Sequence, residues 1–350
     1  KGEGSKGEGS KGEGSKGEGS KGEGSKGEGS KGEGSKGEGS KGEGSKGKDR
    51  VMILHNPAVR CFINASLQLI DNLVFETVPT VPTVPLNKAE QIVTDALMKI
   101  INTEESYKYS KYSKYLNELV DKFVNMINPA ENNKKFYEKR EEDARDFLTL
   151  MIRYLNSNGN IKSCVQQKTM FTNCKIPNPP PKIENQHMIT IQIPPESREN
   201  LTIKHFYNTQ CGSKGLDKPT EDFGCKESSE EHIPYYDTKN VIFTISRFYY
   251  YDGKGLKNNL NIIPDEKFTF PNGSEFYLKG CIIHLGRGIE SGHYAYLSFK
   301  DGKPDMYIDD LEKENYVQNY IDMNNPKYNK QLKVNRNYLR NGVIYLYVKT

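Results

Sequence analysis

Cys61 and His293 are the side chains in this sequence best suited to act together as a nucleophile and its base. Cys61 opens the run Cys61-Phe62-Ile63-Asn64-Ala65-Ser66-Leu67-Gln68, whose composition predicts a helix. The first N–H groups of a helix have no intrahelical acceptor and carry partial positive charge, so a thiol placed there ionises readily, and the thiolate attacks carbonyls. The alternative for any cysteine is a buried small hydrophobe. Asn56, five residues upstream in an Asn-Pro turn, is placed to donate its amide to the oxyanion of such an attack, or simply to make the turn. His293 sits between Gly292 and Tyr294 at the start of a strand pattern, Tyr294–Phe299. A second pattern, Met306–Ile308, follows Lys300-Asp301-Gly302-Lys303-Pro304 and delivers Asp309-Asp310. A hairpin there returns Asp309 to His293, where a carboxylate orients the ring and favours the imidazolium; a solvated turn is the alternative.

The elements that must position these groups begin only after residue 48. Residues 1–45 are nine copies of Lys-Gly-Glu-Gly-Ser, and 19 of the chain's 32 glycines fall in residues 1–47, so the glycine richness belongs to the repeat. A block without an apolar side chain has nothing to bury against the entropy of ordering it, so residues 1–48 are expected to form a disordered leader. Residues 49–350 have the size of one large domain with a substantial core. The formal charge of +4 comes from interspersed Lys and Glu, which gives no basic stripe for nucleic acid. No apolar stretch has membrane-spanning length and no secretory signal is visible, so an intracellular protein that does not insert into membranes is expected. Six widely spaced cysteines fit reduced thiols better than a disulfide framework.

Three helices are predicted after the one at Cys61. The first starts at an Asn87/Glu90 capping box and carries Ile92, Val93, Ala96, Leu97, Ile100 and Ile101 on one face. The second carries Leu116, Leu119, Val120, Phe123, Val124 and Ile127, and the third runs roughly from Glu138 to Leu155. The threefold Thr-Val-Pro stretch from Thr77 to Pro85 is a stiff connector, because proline lacks the N–H that a helix needs. Beyond Asn156 the runs His187–Ile193, Asn240–Phe248, Phe276–His284, Tyr294–Phe299, Met306–Ile308 and Val343–Val348 read as strands of an antiparallel sheet. Residues 157–235 are polar, hold four cysteines and show few strong strands, as a protruding element would. Helices followed by strands give an α+β fold, with the two reactive groups on different halves and meeting at the seam.

At this point a family resemblance emerges. Asn56 to Gln68 resembles the cysteine box of the ubiquitin-specific proteases, and Glu142-Asp143-Ala144-Arg145-Asp146-Phe147-Leu148 resembles their Gln-Asp-x-Gln-Glu-Phe box. Thr244-Ile245-Ser246-Arg247-Phe248 is similar to their Leu-x-Leu-Lys-Arg-Phe strand, and Ile282 to Tyr307 to their histidine box. Tyr345-Leu346-Tyr347 resembles the closing strand. The resemblance implies a papain-like cysteine peptidase with a helical thumb (about 51–156), reduced fingers (about 157–235) and an antiparallel β palm (about 236–350). It implies hydrolysis of the bond after the C-terminal Gly-Gly of ubiquitin. By position, Cys61 is the nucleophile, His293 the base and Asp309 its orienting carboxylate. Asn56 falls on the oxyanion donor, with Asp310 assisting. Asp143 matches the carboxylate that holds the extended ubiquitin tail, and His284, Gly292 and Tyr294 match groups lining the channel for its two glycines.

The departures are specific. Ala58 and Arg60 replace the usual Gly and Thr, and Glu142 and Arg145 replace glutamines. Arg60 either lowers the pKa of the neighbouring thiol or points to solvent. The zinc-binding Cys-x-x-Cys pairs of the family are broken, since Pro177 follows Cys174 and Ser228 follows Cys225 at that spacing. Cys164, Cys174, Cys211 and Cys225 leave a four-thiolate site open, but fingers held by packing, without metal, are expected. The expected protein is a monomeric deubiquitinating protease without a cofactor, whose partners are ubiquitin and ubiquitinated proteins. The rivals are an inactive ubiquitin-binding pseudoenzyme, a peptidase for another ubiquitin-like modifier, and a structural metal-binding protein.

Overall fold

Helices occupy the first part of the folded chain and strands most of the remainder. The computed structural model describes residues 52–56, 60–109 apart from 79, 81 and 83, 113–130, 143–286 apart from 195, 196, 198 and 199, 292–309, 319–322 and 338–350. The expected leader, residues 1–48, lies outside them. Helix α1 is Cys61–Asp71, α2 Lys88–Ile101, α3 Glu105–Lys108, α4 Lys114–Ala130, α5 Ala144–Ser157 and α6 Ile203–Cys211. None among the described residues is long and apolar enough to cross a membrane.

The caps set where α2 and α5 begin. Asn87 accepts from the N–H groups of Ala89 and Glu90 while Glu90 accepts from Asn87 N, the reciprocal capping box expected from the sequence. Val93, Leu97 and Ile100 are buried, but Ile92, expected beside them, is 45% exposed. At about 100° per residue it falls outside the stripe that those three define. In α5 the capping residue is Asp143, whose side chain accepts from Arg145 N, and the helix runs from Ala144; the expected start near Glu138 lies outside the described residues.

The eight-stranded sheet orders its strands β15-β14-β13-β12-β16-β7-β3, with β11 pairing β12. These are β3 Ile189–Gln192, β7 Asn240–Ser246, β11 Lys267–Thr269, β12 Glu275–Leu285, β13 His293–Lys300, β14 Lys303–Asp309, β15 Asn319–Asp322 and β16 Gly342–Val348. The pairings are antiparallel except β3 with β7, which is parallel and corrects the all-antiparallel expectation. The chain reaches β7 from β3 only after α6 and a second sheet, a crossover long enough to reverse direction. Both faces of the sheet are covered. Ile242, Ile344 and Leu346 join the core beneath the helices, and Phe243, Tyr345 and Tyr347 join an aromatic core on the other side. All seven residues of β16 are therefore buried, and the strand reads as a continuous apolar run.

The polar region 157–235 corrects a second expectation. It holds a four-stranded sheet in the order β2-β1-β6-β5, from β1 Val165–Thr172, β2 Lys182–Gln186, β5 Lys214–Gly215 and β6 Glu227–Pro234. Strand β1 is half-buried along most of its length, so no apolar alternation marks it in the sequence. Its antiparallel register with β6 pairs Thr172 with Glu227, and two residues further out Cys174 meets Cys225 in a disulfide with Cα atoms 3.8 Å apart. The expectation of reduced thiols fails here because the register closes a 51-residue separation. The four-thiolate alternative fails with it, since two of its ligands are bonded to each other.

Four short strands complete the inventory: β4 Leu201–Thr202 pairs with β10 Ile262–Ile263, and β8 Phe248–Tyr251 forms a hairpin with β9 Lys254–Lys257. On the outer side of β3, Gln210 of α6 donates to Thr190 O and accepts from Gln192 N, both at 3.0 Å.

Candidate active site

The N-terminus of α1 is carried to the sheet by a helix buried from Cys61 through Ile70, packed on β12, β13 and α5. Each buried Leu or Ile along it contributes about 1.5–3 kcal/mol, which fixes the helix against β13. Its polar residues clamp the preceding segment. Gln68 donates to Met52 O at 2.6 Å and Asn64 to His55 O at 3.3 Å, while Asn117 of α4 accepts from His55 N at 2.6 Å. Residues 52–56 thus have backbone groups satisfied by side-chain amides. Asn56 is held at the end of this clamped segment. Its Oδ1 accepts from Arg60 N at 2.8 Å, which turns Nδ2, the donor end, away from that bond.

Cys61 is the first residue of α1 and only 4% exposed, and its thiol is among the groups that favour a proton on the His293 ring. His293 opens β13, and its Nε2 lies 2.6 Å from Asp309 Oδ1 at the end of β14. With Nε2 occupied by Asp309, Nδ1 is the ring nitrogen left for the thiol. Burial works against a charge on this ring, but the Asp309 carboxylate and the Cys61 thiol outweigh it and raise the pKa to about 10. Tyr307 donates to the second oxygen of Asp309 at 2.8 Å. The expected hairpin thus brings Asp309 onto the His293 ring. Asp310 lies outside the described residues.

Arg60 takes the course that leaves the thiol: its guanidinium pairs with Asp121 on α4. Asp143 and Tyr294 line a groove of about 260 Å³ together with Arg145, Phe248 and Tyr250, over a floor that includes Ile245, Val343 and Ile344. Arg145 stands 3.5 Å from Asp143 as an ion pair at the rim. His284, expected in the channel lining, lies behind it. It is 2% exposed, with its ring 4.8 Å from that of Tyr294 and 5.2 Å from that of Phe248. Burial, then the Lys257 and His293 charges, lower its pKa to about 4, so it stays neutral. Gly292 passes so close to this ring that a Cβ on it would meet His284 Nε2 at 2.1 Å.

No protein-family model matches the chain, and no curated protein matches its sequence. Solved structures do match. The SAGA Ubp8/Sgf11/Sus1/Sgf73 DUB module bound to ubiquitin aldehyde aligns with a TM-score of 0.58 at 12% identity, over 86% of this chain and 70% of that one. The two share a fold. The module bound to monoubiquitin gives 0.57 over 86% and 69%, and a further structure of the module gives 0.56 over 86% and 68%, each at 12% identity.

Sequence reasoning missed Tyr307 and Lys257. Tyr307 carries a usable signal, since it stands two residues before Asp309 and so shares its strand face. Lys257 carries none, because only the folded hairpin brings it beneath His284. Among the described residues no group of three or more His, Cys, Asp or Glu is placed to hold a metal ion.

Proposed function

We propose that the chain is a deubiquitinating cysteine protease that cleaves the peptide or isopeptide bond after the C-terminal Gly-Gly of ubiquitin. The observation that carries this reading is the His293–Asp309 hydrogen bond, with the Cys61 thiol acting on the same ring, set on a fold shared with a ubiquitin-bound DUB module. The proton shared between Cys61 and His293 rests on the ring, and the Cys61 sulfur attacks the glycyl carbonyl carbon. Asn56 Nδ2 and the N–H groups at the N-terminus of α1 receive the oxyanion. The intermediate collapses, the C–N bond breaks, and His293 returns the proton to the leaving amine. Water, deprotonated by the same ring, then cleaves the thioester, which frees the ubiquitin carboxylate and restores the thiol. Asp143 and the aromatic walls of the 260 Å³ groove receive the tail that leads to the scissile bond.

The Arg145–Asp143 pair favours a second reading, a peptidase for another ubiquitin-like modifier, because the carboxylate meant for a basic tail already has a cation beside it. Ubiquitin with a C-terminal electrophile tests both. A covalent adduct that forms with the wild type and not with Cys61→Ala supports the deubiquitinase. An adduct only with a different ubiquitin-like modifier favours the second reading. Binding of ubiquitin without any adduct makes the chain a pseudoenzyme.

A further inference from the structure

Lys257, the last residue of β9, is 6% exposed, yet among the described residues no carboxylate faces its ammonium. Its three N–H groups meet three neutral acceptors: His284 O at 2.5 Å, Gly286 O at 3.3 Å and Asn341 Oδ1 at 2.7 Å. Burial, and then the Arg247 guanidinium, lower its pKa to about 8, which keeps the three-donor form in the majority at neutral pH. A buried cation whose described partners are all neutral costs more than an apolar side chain of the same length would, so its place must be argued from what it holds.

What it holds is the backbone opposite the catalytic ring. Strands β12 and β13 pair with Leu285 opposite His293 and His284 opposite Tyr294. The two carbonyls gripped by Lys257 belong to His284 and Gly286, the residues on either side of Leu285. The third acceptor, Asn341, directly precedes β16, the strand on the other side of β12. Phe248, paired with Lys257 across the hairpin, places its ring edge-on against the His284 imidazole. The hairpin therefore grips His284 by both its ring and its carbonyl, and His284 in turn abuts Gly292, which precedes the catalytic ring.

We infer that Lys257 is a positioning residue for His293, its ammonium locking the end of β12 to the start of β16 so that the strand start carrying His293 is presented to Cys61 in one register. This inference rests on the assignment of Cys61 and His293 as nucleophile and base. Lys257 touches neither substrate nor thiol, and its effect reaches the chemistry through the backbone and the neutral His284 ring.

The test compares wild type with Lys257→Met, which keeps the stem and loses the ammonium, and Lys257→Gln, which restores two donors. Two readouts are used: turnover of a ubiquitin C-terminal fluorogenic amide, and the rate of Cys61 alkylation by iodoacetamide at pH 7. Lys257→Met is expected to lower kcat ten- to hundredfold with KM within threefold, and to slow alkylation at least fivefold. Lys257→Gln should recover part of both. Unchanged kcat and alkylation in Lys257→Met, or a change in KM alone, overturns the inference. If Lys257→Met does not fold, Asn341→Ala decides: a fall of about threefold in kcat with unchanged KM supports the inference, and no fall overturns it. A wild type that does not turn over ubiquitin overturns the proposed function instead, and the alkylation rates still report on Lys257.

Discussion

Asp309 Oδ1 stands 2.6 Å from Nε2 of His293 across two neighbouring strands, and this contact does most to hold the ring protonated. A base raised from the ordinary histidine value near 6.5 to about 10 stabilises the fold while it is charged. Its contribution is complete below about pH 6.5, as long as the carboxylate is ionised, and fades as the pH climbs to about 10. Asp309→Asn removes the charge that sustains it. Unfolding midpoints of wild type and variant should differ most at pH 5.5–6.5 and converge towards pH 10. Turnover at pH 7.5 should fall by about two to four orders of magnitude. A gap that widens with rising pH would contradict the assignment.

Asn56 should behave as a donor to charge that exists only in the transition state. Asn56→Ala is expected to reduce kcat by about 10²- to 10³-fold with little change in KM. Steady-state kinetics read this directly, and a kcat within threefold of wild type would remove Asn56 from the oxyanion site.

At the groove, Asp143→Asn retains a cap for α5, since asparagine caps as well as aspartate, while it removes the charge offered to a basic tail. KM for a ubiquitin substrate should rise about tenfold for Asp143→Asn and further for Asp143→Arg, with iodoacetamide still reacting at Cys61. Arg145→Gln, which frees the carboxylate of its ion pair, should move KM the other way. Equal KM values in all three would dismiss the tail contact.

Gly292→Ala places a methyl group where His284 Nε2 already lies, so the ring or the strand start must shift. A displacement of about 1 Å at a catalytic group costs on the order of 10²-fold in rate. The loss should appear in kcat/KM while the circular dichroism spectrum stays that of the wild type.

The Cys174–Cys225 bond closes a 51-residue separation, which in the loop-entropy treatment corresponds to roughly 4 kcal/mol. Cys174→Ser should make the outer end of the β1–β6 pair the first site of proteolysis. Alkylation of Cys61, at the start of α1 and outside this sheet, should proceed at the wild-type rate.

Much of this site was legible in the sequence because its residues sit at element boundaries, where type and position are tightly constrained. Cys61 opens a helix, and His293 and Asp309 lie at the start and the end of one hairpin. What stayed hidden depends on long-range register. Strand β1 carries Gln166, Gln167 and Lys168 because both of its faces are only half-buried, so no alternation announces it. The parallel pairing of β3 and the meeting of Cys174 with Cys225 follow from strand order, which local patterns do not encode. His284 resembled a channel residue by its box position, but the rings of Phe248 and Tyr294 enclose it.

The Gln210 side chain stands in for a missing strand, since one amide satisfies both a donor and an acceptor on the outer margin of β3. Another copy of the chain that approached this margin would find those two ladder positions taken and would have to expel a side chain to pair there. The sheet thereby ends itself on that side, and a molecule caught half-folded at high concentration offers one fewer place for chain-to-chain accretion to begin.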